Sequence, residues 1–166
     1  ADAGSTFAGW SGGGCSGTGT CTVTLNADTS VTATFTLNPV LSVGPAFLGF
    51  GSVTVGSTKD LTFSVSNSGG GTLTGSVTTT SPYSIVSGGS FNLTAGQNQT
   101  VTVRFSPTAA VTSSSLISIS SNGGNATVSL SGTGTQGLVL TVSPITLNFG
   151  GVRVGRSKDL TLTVQN

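Results

Sequence analysis

Residues 40–67 and 139–166 are two copies of one 28-residue pattern. The first reads VLSVGPAFLGFGSVTVGSTKDLTFSVSN and the second VLTVSPITLNFGGVRVGRSKDLTLTVQN; 16 of 28 positions are identical without a gap, at an offset of 99 residues. The copies share Pro45/Pro144, Phe50-Gly51/Phe149-Gly150, Gly56/Gly155, Lys59-Asp60/Lys158-Asp159 and Asn67/Asn166. A period near 100 residues is the length of one β-sandwich domain. Residues 38–136 therefore read as one whole unit, and 137–166 as the first strands of a second.

Within the whole unit, apolar residues alternate with Ser and Thr. Lys59–Ser66 reads KDLTFSVS, Thr100–Phe105 TVTVRF, Leu116–Ser120 LISIS and Ala126–Leu130 ATVSL. A period of two in Val, Ile, Phe and Leu is the signature of a half-buried strand. Such runs lie near 40–43, 47–50, 59–66, 72–78, 84–86, 91–93, 99–105, 115–120 and 126–131. Seven or eight of them are counted as strands, the shortest being the weakest. Ser68-Gly69-Gly70-Gly71, Ser87-Gly88-Gly89, Ala95-Gly96 and Asn122-Gly123-Gly124 separate them as turns, and Asn122-Gly123 reads as a hairpin loop. Thr22–Leu25 and Val31–Phe35 alternate in the same way. No eleven-residue window holds a helical stripe. The fold class is all-β: an Ig-like β-sandwich with partial β modules at both ends.

Composition agrees and narrows the function. Gly (26), Thr (29) and Ser (26) make up about half of the 166 residues. Tight turns need the first, and the wet faces of strands suit the other two. Only nine residues are charged, five Lys or Arg and four Asp, and there is no His or Glu. A net charge of +1 offers no footprint for nucleic acid. No run approaches the ~20 apolar residues of a membrane-spanning helix. Most acid–base side chains are missing, so no enzyme, catalytic residue, metal site or cofactor is expected. Low charge with 35% hydrophobic residues also differs from the signature of a disordered chain.

The residues of the whole unit carry a family likeness. Leu48, Phe50, Gly51, Val53, Val55, Gly56, Leu61, Phe63, Val65 and Asn67 form one block. Phe91, Leu93, Gly96, Gln97, Val101, Val103, Phe105 and Pro107 form a second, before a run ending SLSGTGT. Together they resemble the ASH (Hydin-like, major-sperm-protein-like) Ig-type domains of bacterial surface proteins. The chain departs from that pattern at Val111, where the family usually has Gly. The first 37 residues differ: Phe7, Trp10, Ser11, Gly12, Cys15, Cys21, Val31, Ala33 and Phe35 resemble the C-terminal half of a divergent internalin-B-type repeat. The resemblance implies non-catalytic modules of secreted or surface proteins.

The remaining motifs are read as structural. Cys15 and Cys21 bracket SGTGT and suit a local disulfide; the spacing is not C-x-x-C, and a zinc site would lack two ligands. Gly9–Gly13 matches G-x-S-x-G but lacks a strand–turn–helix context and a base, so it reads as a turn carrying an anchoring Trp10. Gly132–Gly137 matches G-x-G-x-x-G, but no helix follows, and it reads as a linker. The acids Asp2, Asp28, Asp60 and Asp159 offer no dyad or calcium loop, Asp60 and Asp159 being one position in two repeats. Lys59-Asp60 and Lys158-Asp159 read as charges guarding a strand edge. An isopeptide bond from either Lys would need a buried acid that the chain barely supplies. Asn92, Asn98 and Asn125 open glycosylation sequons of the kind a Ser/Thr-rich chain produces by chance.

Residues 137–166 cannot close a sandwich alone. Either the chain is part of a longer one, or the strands are completed by another copy, head to tail. In the second case Leu140, Val142, Leu147, Phe149, Leu160, Leu162 and Val164 are the contacts between subunits, and the partner is the protein itself. The functional expectation is a non-catalytic structural module of an extracellular bacterial surface assembly, a stalk or filament subunit. The alternative is an adhesin module that binds carbohydrate or a surface, with cell-surface glycans as partners and Trp10 and Tyr83 as the exposed aromatics. Residues 1–166 contain no signal peptide, so the extracellular setting is an inference.

Overall fold

A computed structural model describes residues 4–166; Asp2 lies outside them. The described residues form strands and no helix, as the period-two pattern requires. The chain divides between Thr135 and Gln136 into two compact units.

The first unit opens with β1 (Ser5–Gly12), β2 (Cys15–Gly17) and β3 (Thr32–Leu37), an antiparallel sheet ordered β2-β1-β3. Two local expectations are corrected here. Gly9–Gly12 lie in β1, and the turn falls at Gly13-Gly14. Gly9 sits at a register shift against β3, has φ +143°, and brings β1 within 3.1 Å of the Gly17 carbonyl oxygen for any added Cβ. A bulge, rather than a chain reversal, is what this glycine serves. The alternating run Thr22–Leu25 forms no strand.

The sandwich follows. Its strands are β4 (Leu41–Gly44), β5 (Phe47–Thr54), β6 (Lys59–Asn67), β7 (Thr72–Thr78), β8 (Tyr83–Ser87), β9 (Ser90–Thr94), β10 (Asn98–Phe105), β11 (Thr112–Ser121) and β12 (Gly124–Thr135). All nine alternating runs are therefore strands. One sheet is ordered β4-β6-β10-β8 and the other β5-β12-β11-β7-β9. The chain crosses between them at the cis bond Gly44-Pro45, so that β5 runs parallel to β12. The inward residues interlock as one core, with Phe50, Val65, Leu73, Val101, Val103, Phe105, Ile117 and Val128 fully buried. In β5 the inward positions are Leu48, Phe50 and then Val53; Gly51, at φ +66°, marks the bulge that shifts the alternation.

β12 runs to Thr135, so Gly132–Thr135 are strand and not linker. A Cβ on Gly132 would lie 2.7 Å from Cε1 of Phe105, and one on Gly134 would strike the Ala109 carbonyl. These glycines are bare because the core and a loop press on them. The Asn122-Gly123 loop does join β11 to β12, but positive φ falls on Gly124. The mirror-image turn is not used, because Asn122 is employed sideways: it accepts from the Thr74 amide (2.9 Å) and donates to the Thr72 carbonyl (3.0 Å).

The N-terminal sheet meets the sandwich through a hydrogen-bonded joint. The Asn38 amide donates to Gly4 O (2.8 Å), the Gly70 amide to Asn38 O (2.9 Å) and the Ser68 amide to Val40 O (2.9 Å). Gly70 is bare because Leu37 packs on its Cα.

The second unit holds β13 (Thr141–Ser143) and β14 (Thr163–Gln165). Their pairs Thr141↔Gln165, Val142↔Val164 and Ser143↔Thr163 reproduce, at the 99-residue offset, the β4–β6 pairs Ser42↔Ser66, Val43↔Val65 and Gly44↔Ser64. Gly150 (φ +60°) and Gly155 (φ +79°) repeat Gly51 and Gly56 (φ +84°). The counterpart of β5 is not a strand here, because β5 owes its ladder to β12, and the second unit has no such strand.

Candidate functional site

The repeated Lys-Asp pair has a definite structural role. β6 is paired by β4 only over Leu41–Gly44 and Ser64–Asn67, so at Lys59-Asp60 its second edge is open, the position the charges were expected to guard. Lys59 Nζ donates to the Phe50 carbonyl at 2.6 Å, clasping the bulge, and Lys158 Nζ donates to the Phe149 carbonyl at 3.0 Å. Asp60 lies opposite Arg104 on β10 and accepts two hydrogen bonds from it, both 2.8 Å. Both side chains are over a third exposed, so the pair fixes register more than it adds stability.

Tyr83 is not available to any ligand. It is 3% exposed, stacks on Phe105 at 4.8 Å, leans on Phe50 at 5.5 Å, and donates its hydroxyl to the Ser113 carbonyl at 2.7 Å. Its turn-like sequence context misled because β8 begins on this residue and turns it inward. Trp10 is half-buried; its indole N–H donates to the Gly19 carbonyl and its ring meets Phe7 edge-on at 5.0 Å. It anchors the small sheet, where Cys15 and Cys21 are joined as a disulfide, Cα atoms 5.4 Å apart. Closing so short a loop contributes roughly 2 kcal/mol.

Among the described residues no three His, Cys, Asp or Glu converge as metal ligands. What titrates is sparse. The Arg104 hydrogen bonds hold the Asp60 carboxyl below its ordinary value, with the Arg104 charge adding to them and desolvation opposing. Burial pushes the Tyr83 phenol up. For Asp60 the stabilisation is present above the unfolded value near 4 and is lost as pH falls through the lowered one. For Tyr83 it is whole below the unfolded value near 10 and is lost as pH rises through the raised one. With no His or Glu and both thiols oxidised, the melting temperature is expected to be flat between about pH 5 and 9 and to fall above about 10. Tyr83→Phe should flatten the alkaline limb; a limb unchanged in that variant would contradict the assignment.

Of the seven second-unit residues, Leu140, Val142, Phe149, Leu162 and Val164 are exposed, and Leu147 and Leu160 half-buried. Of their counterparts, Leu48, Phe50, Phe63 and Val65 are buried in the sandwich core, and Leu41, Val43 and Leu61 are half-buried against it.

Two positions were not singled out by sequence reasoning. Asn67 is a buried polar side chain, 1% exposed. Its Oδ1 accepts from the amides of Val40 and Gly69 (both 3.1 Å), and its Nδ2 donates to the carbonyls of Gly71 and Leu93 (both 3.2 Å). The repeated Asn closing both 28-residue copies was the available signal. Phe47 is the other: it is 56% exposed.

The family model for ASH (Abnormal spindle-like microcephaly-assoc'd, ASPM-SPD-2-Hydin) matches residues 34–127, and that of the divergent InlB B-repeat domain matches residues 1–39. No curated relative matches the chain. Among solved structures it is similar to an ASH/PapD-like domain of human CEP192, with a TM-score of 0.52, 13% identity, and coverage of 61% of this chain and 89% of that one. It is also similar to a protein of unknown function from Porphyromonas gingivalis W83, with a TM-score of 0.50, 16% identity, and coverage of 66% of this chain and 59% of that one. At these identities the likeness is one of fold.

Proposed function

The chain belongs to the ASH family, and on that footing we propose that it is a non-catalytic structural module of an extracellular surface assembly, joined head to tail through its second unit. One observation carries the reading: the second unit copies the β4–β6 register while leaving the matching core residues uncovered. A strand pair built to that register has one edge suited to a β10-like antiparallel strand. A neighbouring copy that covers Leu140, Val142, Leu147, Phe149, Leu160, Leu162 and Val164 makes a heterologous contact, and such contacts propagate into filaments unless they close. The hydrogen-bonded joint at Asn38 and Val40 fits a load-bearing array better than a free linker would. The disulfide and the match to the InlB-type repeat support an extracellular setting.

The test is the size of the 166-residue chain in solution. Sedimentation velocity across the micromolar range should show concentration-dependent assembly, and electron micrographs should show linear species. Phe149→Asp should weaken assembly by about tenfold or more, since a charge there must be desolvated, and should leave the sandwich's melting transition unchanged. A chain that stays monomeric at every concentration overturns the head-to-tail joint.

A further inference from the structure

The five strands β5, β7, β9, β11 and β12 contain no Asp, Glu, Lys or Arg. The outer face of this sheet is a neutral field of Ser, Thr and Asn with one apolar island, Phe47 and Leu116, both more than half exposed. The two flank Ser129, which is paired with Phe47 on one side and Leu116 on the other. Phe47 is the exposed aromatic of the sandwich; Phe50, Phe63, Tyr83, Phe91 and Phe105 are buried. Its ring lies over Gly49, where an added Cβ would be 3.1 Å from Cε1. A side chain on residue 49 would lift the ring off the sheet. With glycine there the ring lies close to the strand and remains 56% exposed.

Around it is a shallow, open depression of about 440 Å³ lined by Phe47, Leu116, Ser114, Ser115, Ser129 and Ser131. On this face the hydroxyls of Thr112 and Thr133 pair with each other at 3.0 Å, and that of Ser115 is taken by Thr80 at 3.0 Å. Those of Ser114, Ser129 and Ser131 make no side-chain hydrogen bond to the described residues. We infer that this depression is a binding site for a neutral saccharide, whose apolar ring face stacks on Phe47 and whose hydroxyls meet those serines. The chemistry selects this occupant. An open aromatic face with hydroxyl partners and no charge matches an uncharged pyranose, and offers nothing to an anionic glycan. One ring and one Leu are also far short of the ~1,000 Å² that a stable protein interface buries. The site is built from first-unit residues alone and does not depend on the head-to-tail joint.

The test is titration of the isotope-labelled 166-residue chain with soluble neutral oligosaccharides, cellohexaose and mannohexaose, and with an anionic oligoalginate as control. Amide shifts should centre on Phe47, Leu116, Ser129 and Ser131 for a neutral sugar and be absent for alginate. Phe47→Ala should weaken binding by about tenfold and Phe47→Trp should keep it, both with an unchanged melting temperature because the ring is exposed. Absence of shifts with both neutral sugars at millimolar concentration overturns the site, as does binding that survives Phe47→Ala. Shifts of these amides that follow protein concentration alone would assign the face to a second copy instead, and would overturn it too.

Discussion

Replacing Asn67 by Ala is expected to lower the stability of the sandwich by about 3–5 kcal/mol. The change removes one small amide, but it strands the amides of Val40 and Gly69 and the carbonyls of Gly71 and Leu93. A buried backbone group left without a partner costs about 1–3 kcal/mol, and water reaches only some of these four. Against a total of about 5–15 kcal/mol for a domain, that is a large share. The melting temperature of a domain of this size should fall by roughly 15–30 °C. Asn67→Asp is expected to be no better. It keeps the two accepted bonds and turns a carboxylate oxygen toward the carbonyls of Gly71 and Leu93. Urea denaturation with an unchanged m-value would measure both losses. A loss under about 1 kcal/mol for Asn67→Ala would mean that the joint and the glycine turn are held by other contacts.

This side chain marks the limit of what the sequence discloses. Alternation reports which residues face inward, so the runs counted as seven or eight strands could be read where all nine form, and the 99-residue repeat is matched by the shared register of β4–β6 and β13–β14. Neither signal reports what presses on a strand from across the core. Gly132 and Gly134 looked like linker because glycine is usually loop; their strand state depends on Phe105 and Ala109, which lie far away in sequence. Thr22–Leu25 alternates as well as any strand, but alternation does not supply a pairing partner, and this run has none. Asn67 was visible as a repeated residue, while its partners come from three separate segments.

The candidate site divides in the same way. Cys15 and Cys21 were legible because their pairing is local. Tyr83 was misread because its neighbours, Ser81 and Pro82, are turn residues, whereas its burial is set by Phe50, Phe105 and the Ser113 carbonyl. Phe47 falls on the outward phase of β5, two residues from Gly49. In a strand that carries a bulge at Gly51, phase can be assigned only once the bulge is located.

The aromatic cluster supplies the second large effect, and it tests why Gly132 is glycine. Phe105→Ala should cost about 3–5 kcal/mol, since the ring is fully buried between Tyr83 and Phe50. Gly132→Ala alone should cost about 1–3 kcal/mol. Its methyl group would meet Cε1 of Phe105 at 2.7 Å and Cδ1 at 2.9 Å, and the fully buried ring, with Tyr83 stacked on it at 4.8 Å, has little room to move. If collision with that ring is the reason for the glycine, the two losses must not add. In the double variant the methyl enters space that Phe105 has vacated. The clash disappears and part of the cavity is filled. The double variant should then be no less stable than Phe105→Ala alone, which gives a coupling of about 1–3 kcal/mol in a thermodynamic cycle. Strictly additive losses would show instead that Gly132 is required by the backbone of β12, where it pairs with Gly51 beside the β5 bulge, and that the ring only happens to lie over it.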